Sequence, residues 1–125
     1  MHLATYTSND ITDIMVLKPT TFHGDSLNRI RDFPDDVRRQ VGHELYQLQK
    51  GEDPNDWKPL SAIGAGVREI RIRDAFGAFR VIYIAGLGGA IHVLHAFGKK
   101  SQKTAQRDLD LASARLRLLR EELKK

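Results

Sequence analysis

A group of basic residues between Gly66 and Thr104 could bind and activate a phosphate. Its members are Arg68, Arg71, Arg73, Arg80, Lys99, Lys100 and Lys103. Arginine forks make bidentate contacts with phosphate oxygens, and lysines add compact positive charges. His95 lies in the same stretch, and histidine is the side chain that naturally titrates near neutral pH. The set therefore suits a polyanion such as RNA.

Cleavage of a phosphoester in RNA requires little besides such a set. The 2′-hydroxyl attacks the adjacent phosphate, so a protein must position it, stabilise the extra negative charge and move two protons. Arg80 suits charge stabilisation, and His95 suits acid or base catalysis. Nearby arginines are expected to lower the pKa of His95, which favours a neutral base, although a lysine could do the same work. The alternative for His95 is a partly buried, hydrogen-bonded strand residue.

Other chemistry has little support. The five histidines show no metal-ligand spacing, and His92 and His95 point to opposite faces of a predicted strand. No serine lies in a nucleophile motif, the chain has no cysteine, and no close pair of carboxylates occurs in the predicted sheet. We therefore expect neither a metal nor a small-molecule cofactor.

The charge is divided unevenly along the chain, whose net charge is +4. Residues 1–65 carry 7 Lys/Arg and 10 Asp/Glu, whereas residues 66–125 carry 13 and 6. A basic half of this kind indicates a polyanionic partner, nucleic acid first and an acidic protein second. The alternative is a basic helix surface that serves solubility alone.

Composition restricts the class of protein further. The apolar share of 41% is ordinary for a globular domain, and no apolar run approaches the roughly 18 residues that span a bilayer. The first residues lack the basic and apolar regions of a secretory signal, and the absence of cysteine favours the cytoplasm. We expect one cytoplasmic domain over residues 1–125, without membrane contact, in which residues 1–12 are a disordered extension.

The first half of the chain predicts one strand and two helices. Residues 14–17 form an apolar run that predicts the strand. Asp25 or Ser26 can begin a short helix, and Pro34 can begin a second helix that ends at Gly51. Apolar residues recur along the second helix at helical spacing: Val37, Val41, Leu45 and Leu48.

The second half predicts three strands and a helix. The strands span residues 67–73, 78–87 and 90–97, and two glycines at 88 and 89 supply a hairpin turn. After Thr104, which can cap a helix, apolar residues step by three and four: Ala105, Leu109, Ala112, Leu116, Leu119 and Leu123. This order predicts an α+β fold with helices on one side of a mostly antiparallel sheet.

The register of the strands decides which side chains share a face. A two-residue turn after Leu87 pairs Ile82 with His95 and Arg80 with Phe97. For the preceding hairpin, a three-residue loop would place Arg80 beside Ile72. A four-residue loop pairs Arg80 with Arg71 instead, and the slip of one residue exchanges the faces.

Segregation of apolar side chains favours the four-residue loop. One face then carries Ile70, Ile72, Phe79, Val81, Tyr83, Leu94 and Ala96. The other face, here called the cationic face, carries Arg71, Arg73, Arg80 and His95. Glu69 joins it and could either orient an arginine or weaken the positive field, while Arg68 points away. Four more apolar residues fall on the cationic face, where the C-terminal helix is expected to cover them: Ile82, Ile84, Ile91 and Val93.

Four sequence blocks resemble a known family. They are DWKPL at 56–60, GAGVREIRIRD at 64–74, GAFRVIYIA at 77–85 and VLHAFGKKSQKT at 93–104. In this order the blocks resemble the phage-derived, HigB-like branch of the RelE/ParE toxin superfamily. The similarity extends from about Met15 to Leu119, which is nearly the whole chain.

The resemblance implies a small α+β toxin of a type II toxin–antitoxin pair. Its partner would be a cognate helix-turn-helix antitoxin. Relatives of the RelE and HigB type cut messenger RNA on the ribosome without a metal, and relatives of the ParE type inhibit DNA gyrase. The resemblance therefore implies an endoribonuclease that blocks translation. A gyrase-inhibiting toxin and an inactive module that binds RNA or the antitoxin are the alternatives.

The resemblance also carries over to particular residues. Arg80 matches the superfamily arginine associated with transition-state stabilisation. The basic residues of the preceding strand match Arg71 and Arg73, and the basic cluster after the last strand matches Lys99, Lys100 and Lys103. Taken with the chemistry above, the expected catalytic residues are Arg80, His95, Arg71 and Lys100. The expected RNA-binding residues are Arg73, Lys99 and Lys103.

Overall fold

The computed structural model describes residues 2–4, 15–99 and 103–125. The elements, in chain order, are β1 (His2–Ala4), β2 (Met15–Leu17), β3 (Thr20–Phe22), α1 (Ser26–Arg31), α2 (Asp35–Gln49), β4 (Trp57–Pro59), β5 (Val67–Asp74), β6 (Gly77–Leu87), β7 (Ala90–Lys99) and α3 (Gln106–Leu123).

Five strands form the main sheet, in the order β3-β7-β6-β5-β4. Only the short β3 runs parallel to its neighbour, and the other pairs are antiparallel. The α+β class with a mostly antiparallel sheet and three helices is confirmed, and it is consistent with a small RelE-like domain. The helices pack on both faces of the sheet, not on one, because β6 and β7 are apolar on both faces.

Helix α2 covers the first face. The four apolar residues predicted for its stripe, Val37, Val41, Leu45 and Leu48, are all buried in a core with Ile70, Ile72, Val81 and Tyr83 of the sheet. Each such side chain contributes about 1.5–3 kcal/mol of transfer free energy. Two acids, Asp35 and Asp36, lie in the first turn, where the helix dipole favours negative charge.

Helix α3 covers the second face, with a buried stripe that differs from the predicted one. Its buried residues are Asp108, Ala112, Leu116 and Leu119. Leu123 is exposed, so the stripe ends one turn earlier than expected, and it begins with a carboxylate, Asp108, instead of Ala105 and Leu109. The predicted cap is also wrong: Ala105 is the N-cap residue, and no side chain caps the helix.

The predicted register of the two long hairpins is confirmed at the cationic end of the sheet. Arg71 pairs with Arg80 across β5 and β6, as the four-residue loop requires. Arg80 pairs with Phe97 and Ile82 with His95 across β6 and β7. Arg68 pairs with Tyr83 of the α2 core and thus points away from the cationic face.

Two irregularities in the β6–β7 ladder correct the predicted faces. The register shifts between Ile82 and Tyr83, so that Tyr83 pairs with Val93 and Leu94 becomes an extra residue. Leu94 therefore lies in the α3 core, and Ile91 and Val93 lie in the α2 core. All three were predicted on the opposite faces. The original register returns at Leu87, after Gly86. The φ of Gly86 is +88°, a conformation that glycine adopts more readily than other residues.

Three short strands were not predicted. β3 adds to β7 at one edge and β4 adds to β5 at the other, each with only three residues. Pro59 ends β4 at the sheet edge, where a residue without an N–H is tolerated. Within the predicted disordered extension 1–12, residues 2–4 form β1, because β2 offers them an antiparallel partner.

Over the part of the chain that the structure describes, no helix is long and apolar enough to cross a membrane.

Candidate nucleic-acid interface

Five cations form a row across four strands at one end of the cationic face. Arg71 and Arg73 lie on β5, Arg80 on β6 and Lys99 on β7. Lys58 of the edge strand β4 joins them because it pairs with Glu69, which shares their face. The row, here called the cationic row, is Lys58, Arg71, Arg73, Arg80 and Lys99. Side chains on paired strands are held at fixed spacing, which gives the row a rigid base.

Arg80 lies beneath the surface that its neighbours form. Only 1% of its side chain is exposed. Its Nε is 3.3 Å from Oε1 of Glu69, and its Nη1 donates to the carbonyl of Phe79 at 3.1 Å. Burial lowers the pKa of Arg80, Glu69 opposes that shift, and Arg71 adds to it. The guanidinium is thus a charge held in place by the protein.

Glu69 connects this arginine to the segment before α3. The carboxylate is completely buried, and its Oε2 accepts a hydrogen bond of 2.9 Å from Oγ1 of Thr104. The sequence predicted that Glu69 could orient an arginine, and the geometry confirms its place beside Arg80. Glu69 therefore neutralises part of the row from below and fixes where α3 begins.

The more accessible cations differ in their surroundings. Arg73 is exposed, whereas Arg71 is half-buried. The Nε of Arg71 is buried and has no hydrogen-bond partner among the described residues. Burial lowers the pKa of Lys99, and the charge of Arg80 adds to that effect. Lys103 is exposed just before α3. Lys100, an expected catalytic residue, lies outside the described residues.

His95 shares the face of the row but is covered by α3. None of its side chain is exposed, and Nε2 lies 2.7 Å from Oδ1 of Asp108. Nη1 of Arg115 lies 3.2 Å from Nδ1, and because arginine can only donate, the neutral tautomer with its proton on Nε2 fits both contacts. The ring also stacks on Phe97.

The pKa of His95 is lowered, as expected, but chiefly for another reason. Burial is the main cause, and the carboxylate of Asp108 opposes it. The arginines that contribute are Arg115 and Arg29, which lie on the helices, rather than those of the cationic row. The structure thus brings Arg71, Arg73, Arg80 and Lys99 together and sets His95 apart under the helix.

Sequence reasoning missed three residues of this region. Lys58 of the DWKPL block lies on β4, a strand that the sequence pattern does not predict. Thr104 was interpreted as a helix cap, whereas its hydroxyl binds Glu69. Asp108 was absent from the predicted stripe. A charged residue four positions before Ala112, on an otherwise apolar helix face, was the available signal for a buried ion or hydrogen bond.

The row can bind the backbone of a nucleic acid, since its cations outnumber the acids around them. The acids that influence the pKa of its buried member, Arg80, are Glu69 and Asp56. Among residues 2–4, 15–99 and 103–125, no three His, Asp or Glu side chains come together as a metal site. What the arrangement offers is fixed positive charge and a lysine of lowered pKa.

Comparison with known families identifies a match over most of the chain. The sequence model of the family described as "Phage derived protein Gp49-like (DUF891)" matches residues 28–117. The matched region runs from α1 into α3 and includes the whole cationic row. No curated protein matches the chain in sequence.

Proposed function

Since the chain belongs to the phage-derived Gp49-like family, a family of RelE-like toxin type, we propose that it is the toxin of a type II toxin–antitoxin pair. In this proposal it is a metal-independent endoribonuclease that cleaves messenger RNA on the ribosome in the cytoplasm and so blocks translation. Its partner is a cognate helix-turn-helix antitoxin.

The observation that carries the proposal is the cationic row. Five cations from four strands lie on one rigid surface, with the charge of Arg80 fixed by Glu69. Phosphate contacts dominate the affinity of proteins for nucleic acids, and rigid strands hold guanidinium groups ready for them. A surface that served solubility alone would not need a buried carboxylate to position one of its arginines.

The cleavage step follows from the chemistry of RNA. The 2′-oxygen forms a bond to the adjacent phosphorus, the bond from phosphorus to the 5′-oxygen breaks, and a 2′,3′-cyclic phosphate and a 5′-hydroxyl result. One proton leaves the 2′-hydroxyl and one reaches the 5′-oxygen. Arg71 and Arg73 contact the phosphate oxygens, and Arg80 stabilises the added negative charge from beneath.

The proton transfers fall to the lysines in this proposal. Lys99 lies in the row, and its lowered pKa brings the ammonium group closer to the range useful for acid catalysis. Lys100 follows it in sequence and remains a candidate for the second transfer. His95 of β7 is completely buried beside Asp108, so we assign it the role of positioning Asp108 of α3 rather than contact with the substrate.

Primer extension on messenger RNA after induced expression tests the proposal. The wild-type chain is expected to produce cuts within translated codons. Arg71→Ala is expected to reduce cleavage by roughly 10²–10³-fold, the usual loss for one charge-stabilising donor. Lys124→Ala, which removes an exposed cation beyond the end of α3, is the matched control and should cleave like the wild type.

Two alternatives predict other results. A gyrase-inhibiting toxin would leave messenger RNA intact and stop replication before translation. An inactive binding module would leave growth unchanged on induction. Either result would overturn the endoribonuclease proposal. Co-expression of the cognate helix-turn-helix antitoxin should suppress toxicity if the chain is one half of a toxin–antitoxin pair.

A further inference from the structure

A cavity next to the cationic row is not used by the mechanism above. It has a volume of about 220 Å³ and lies between α1, the end of β7 and the start of α3. Its lining residues are Arg29, Phe97, Gly98, Arg107, Asp108 and Leu111. Phe97 pairs with Arg80 and Lys99 follows Gly98, so the cavity adjoins the part of the cationic row that Arg80 and Lys99 form.

The walls of the cavity suit the two halves of a nucleotide. Arg29 of α1 and Arg107 of α3 supply positive charge from two different elements. The ion pair of Arg29 with Asp25 uses Nε, which does not consume the terminal nitrogens. The partly exposed Leu111 supplies an apolar edge against which a base can pack, and the buried Phe97 forms the wall beside it.

Asp108 supplies a hydrogen-bond acceptor in a fixed orientation. Its Oδ1 accepts from Nε2 of His95 at 2.7 Å, and this bond is buried. A carboxylate has about four acceptor positions, so capacity remains for a ligand. His95 in turn receives a hydrogen bond from Arg115, which also donates to the backbone of β7. The carboxylate in the cavity is therefore held by a chain of contacts on the sheet.

We propose that this cavity is a subsite for one nucleotide of single-stranded RNA, in which Asp108 reads the base and the two arginines bind phosphate, and that guanine is the preferred base. The inference deepens the proposed function and rests on it for the choice of RNA as ligand. His95 then has a role that its burial would otherwise leave unexplained: it positions the carboxylate that reads the base.

Guanine fits because of the groups on its Watson–Crick edge. Its N1–H and N2–H₂ are adjacent donors that a carboxylate can accept from together. Uracil presents two carbonyl oxygens and one N–H on the same edge, so a carboxylate meets repulsion there. A good base contact discriminates by about 1–3 kcal/mol, which corresponds to roughly 5–150-fold in affinity.

Titration of the full chain with GMP and UMP, followed by NMR, tests the subsite. GMP is expected to bind at least about fivefold tighter than UMP, with the largest amide shifts at Gly98 and Leu111. Asp108→Asn keeps an oxygen for His95 and replaces the other acceptor by an NH₂ donor, so it should remove the preference for GMP or reverse it. Arg107→Gln should weaken both nucleotides equally.

Arg117→Gln is the matched control, because Arg117 lies on α3 away from this cavity. It should bind both nucleotides like the wild type. Equal affinity of the wild type for GMP and UMP would overturn the inference without any variant, as would shifts that inorganic phosphate alone reproduces. An unchanged preference in a folded Asp108→Asn protein would do the same.

The two proposals fail separately. Cleaved messenger RNA in primer extension together with equal binding of GMP and UMP would refute the subsite alone. A GMP preference that Asp108→Asn removes, in a protein that leaves messenger RNA intact, would refute the nuclease and retain a guanine-binding site.

Discussion

Replacing Glu69 by alanine removes the carboxylate that lies between Arg80 and Thr104. Arg80 would then keep its charge in a position where 1% of the side chain is exposed and no other carboxylate is within ion-pair distance among the described residues. The hydroxyl of Thr104 would also lose the acceptor that it binds at 2.9 Å. The change therefore measures the combined contribution of the buried ion pair and the Thr104 hydrogen bond to the free energy of unfolding.

The expected loss is large because a buried charge is left without compensation. Removing one partner of a buried ion pair costs about 3–5 kcal/mol, while net stabilities are only about 5–15 kcal/mol. The double variant Glu69→Ala with Arg80→Met should recover most of this loss. The methionine side chain carries no charge that would need a partner. Replacing a buried ion pair by apolar side chains often changes the free energy of unfolding little.

Urea unfolding gives the measurement, with the single tryptophan, Trp57, as the fluorescent probe and circular dichroism as the second probe. Trp57 is suited to this because its ring lies 3.9 Å from the guanidinium of Arg68, a contact that unfolding breaks. Arg73→Met is the matched control: it removes an exposed cation of the same row and should change stability by no more than about 0.5 kcal/mol.

Two results would refute this reasoning. One is a loss below about 1 kcal/mol for Glu69→Ala, which would mean that water or another group compensates Arg80. The other is a double variant as unstable as the single one, which would mean that Glu69 acts through Thr104 or packing and not through the charge of Arg80.

Further predictions concern the contacts of α3 and the glycines. Because the pKa of His95 is lowered in the folded chain, the folded state binds fewer protons than the unfolded state, so stability should fall as pH drops below about 6.5. His95→Gln, which can still donate to Asp108, should flatten that fall in urea unfolding at several pH values, and an unchanged slope would contradict the assignment. Gly24→Ala should cost about 1–3 kcal/mol, because φ is +56° and the added methyl overlaps the guanidinium of Arg115. Gly42→Ala, in open space within α2, should instead stabilise the chain by about 0.5–1 kcal/mol; equal effects of the two glycine changes would count against both arguments.

Much of the central sheet could be predicted from the sequence, because local rules decide it. Of the two registers possible for β5 and β6, only the one with a four-residue loop separates apolar from charged side chains. The pairing of Arg71 with Arg80 follows from that separation alone. The apolar stripe of α2 was predictable for a similar reason, since a period of 3.6 residues leaves one helix face to bury. Both features depend on neighbours within a few residues or across one turn.

The tertiary structure decided what local patterns do not encode. The extra residue at Leu94 interrupts the alternation of side chains along β7. Leu94, Ile91 and Val93 therefore lie on the faces opposite to those that simple alternation assigns. The three-residue edge strands form because they pair with the edges of the sheet, and their own sequences are too short to predict a strand. The sequence therefore predicts neither β4 nor the place of Lys58 on it.

The site shows the same division. That Arg71, Arg73 and Arg80 share a face was determined by alternation in the sequence. Whether His95 faces solvent was decided by α3, which covers the ring and supplies Asp108 from 13 residues away. A strand pattern gives the direction of a side chain, but only the packing of a distant helix determines whether water or a carboxylate meets it there.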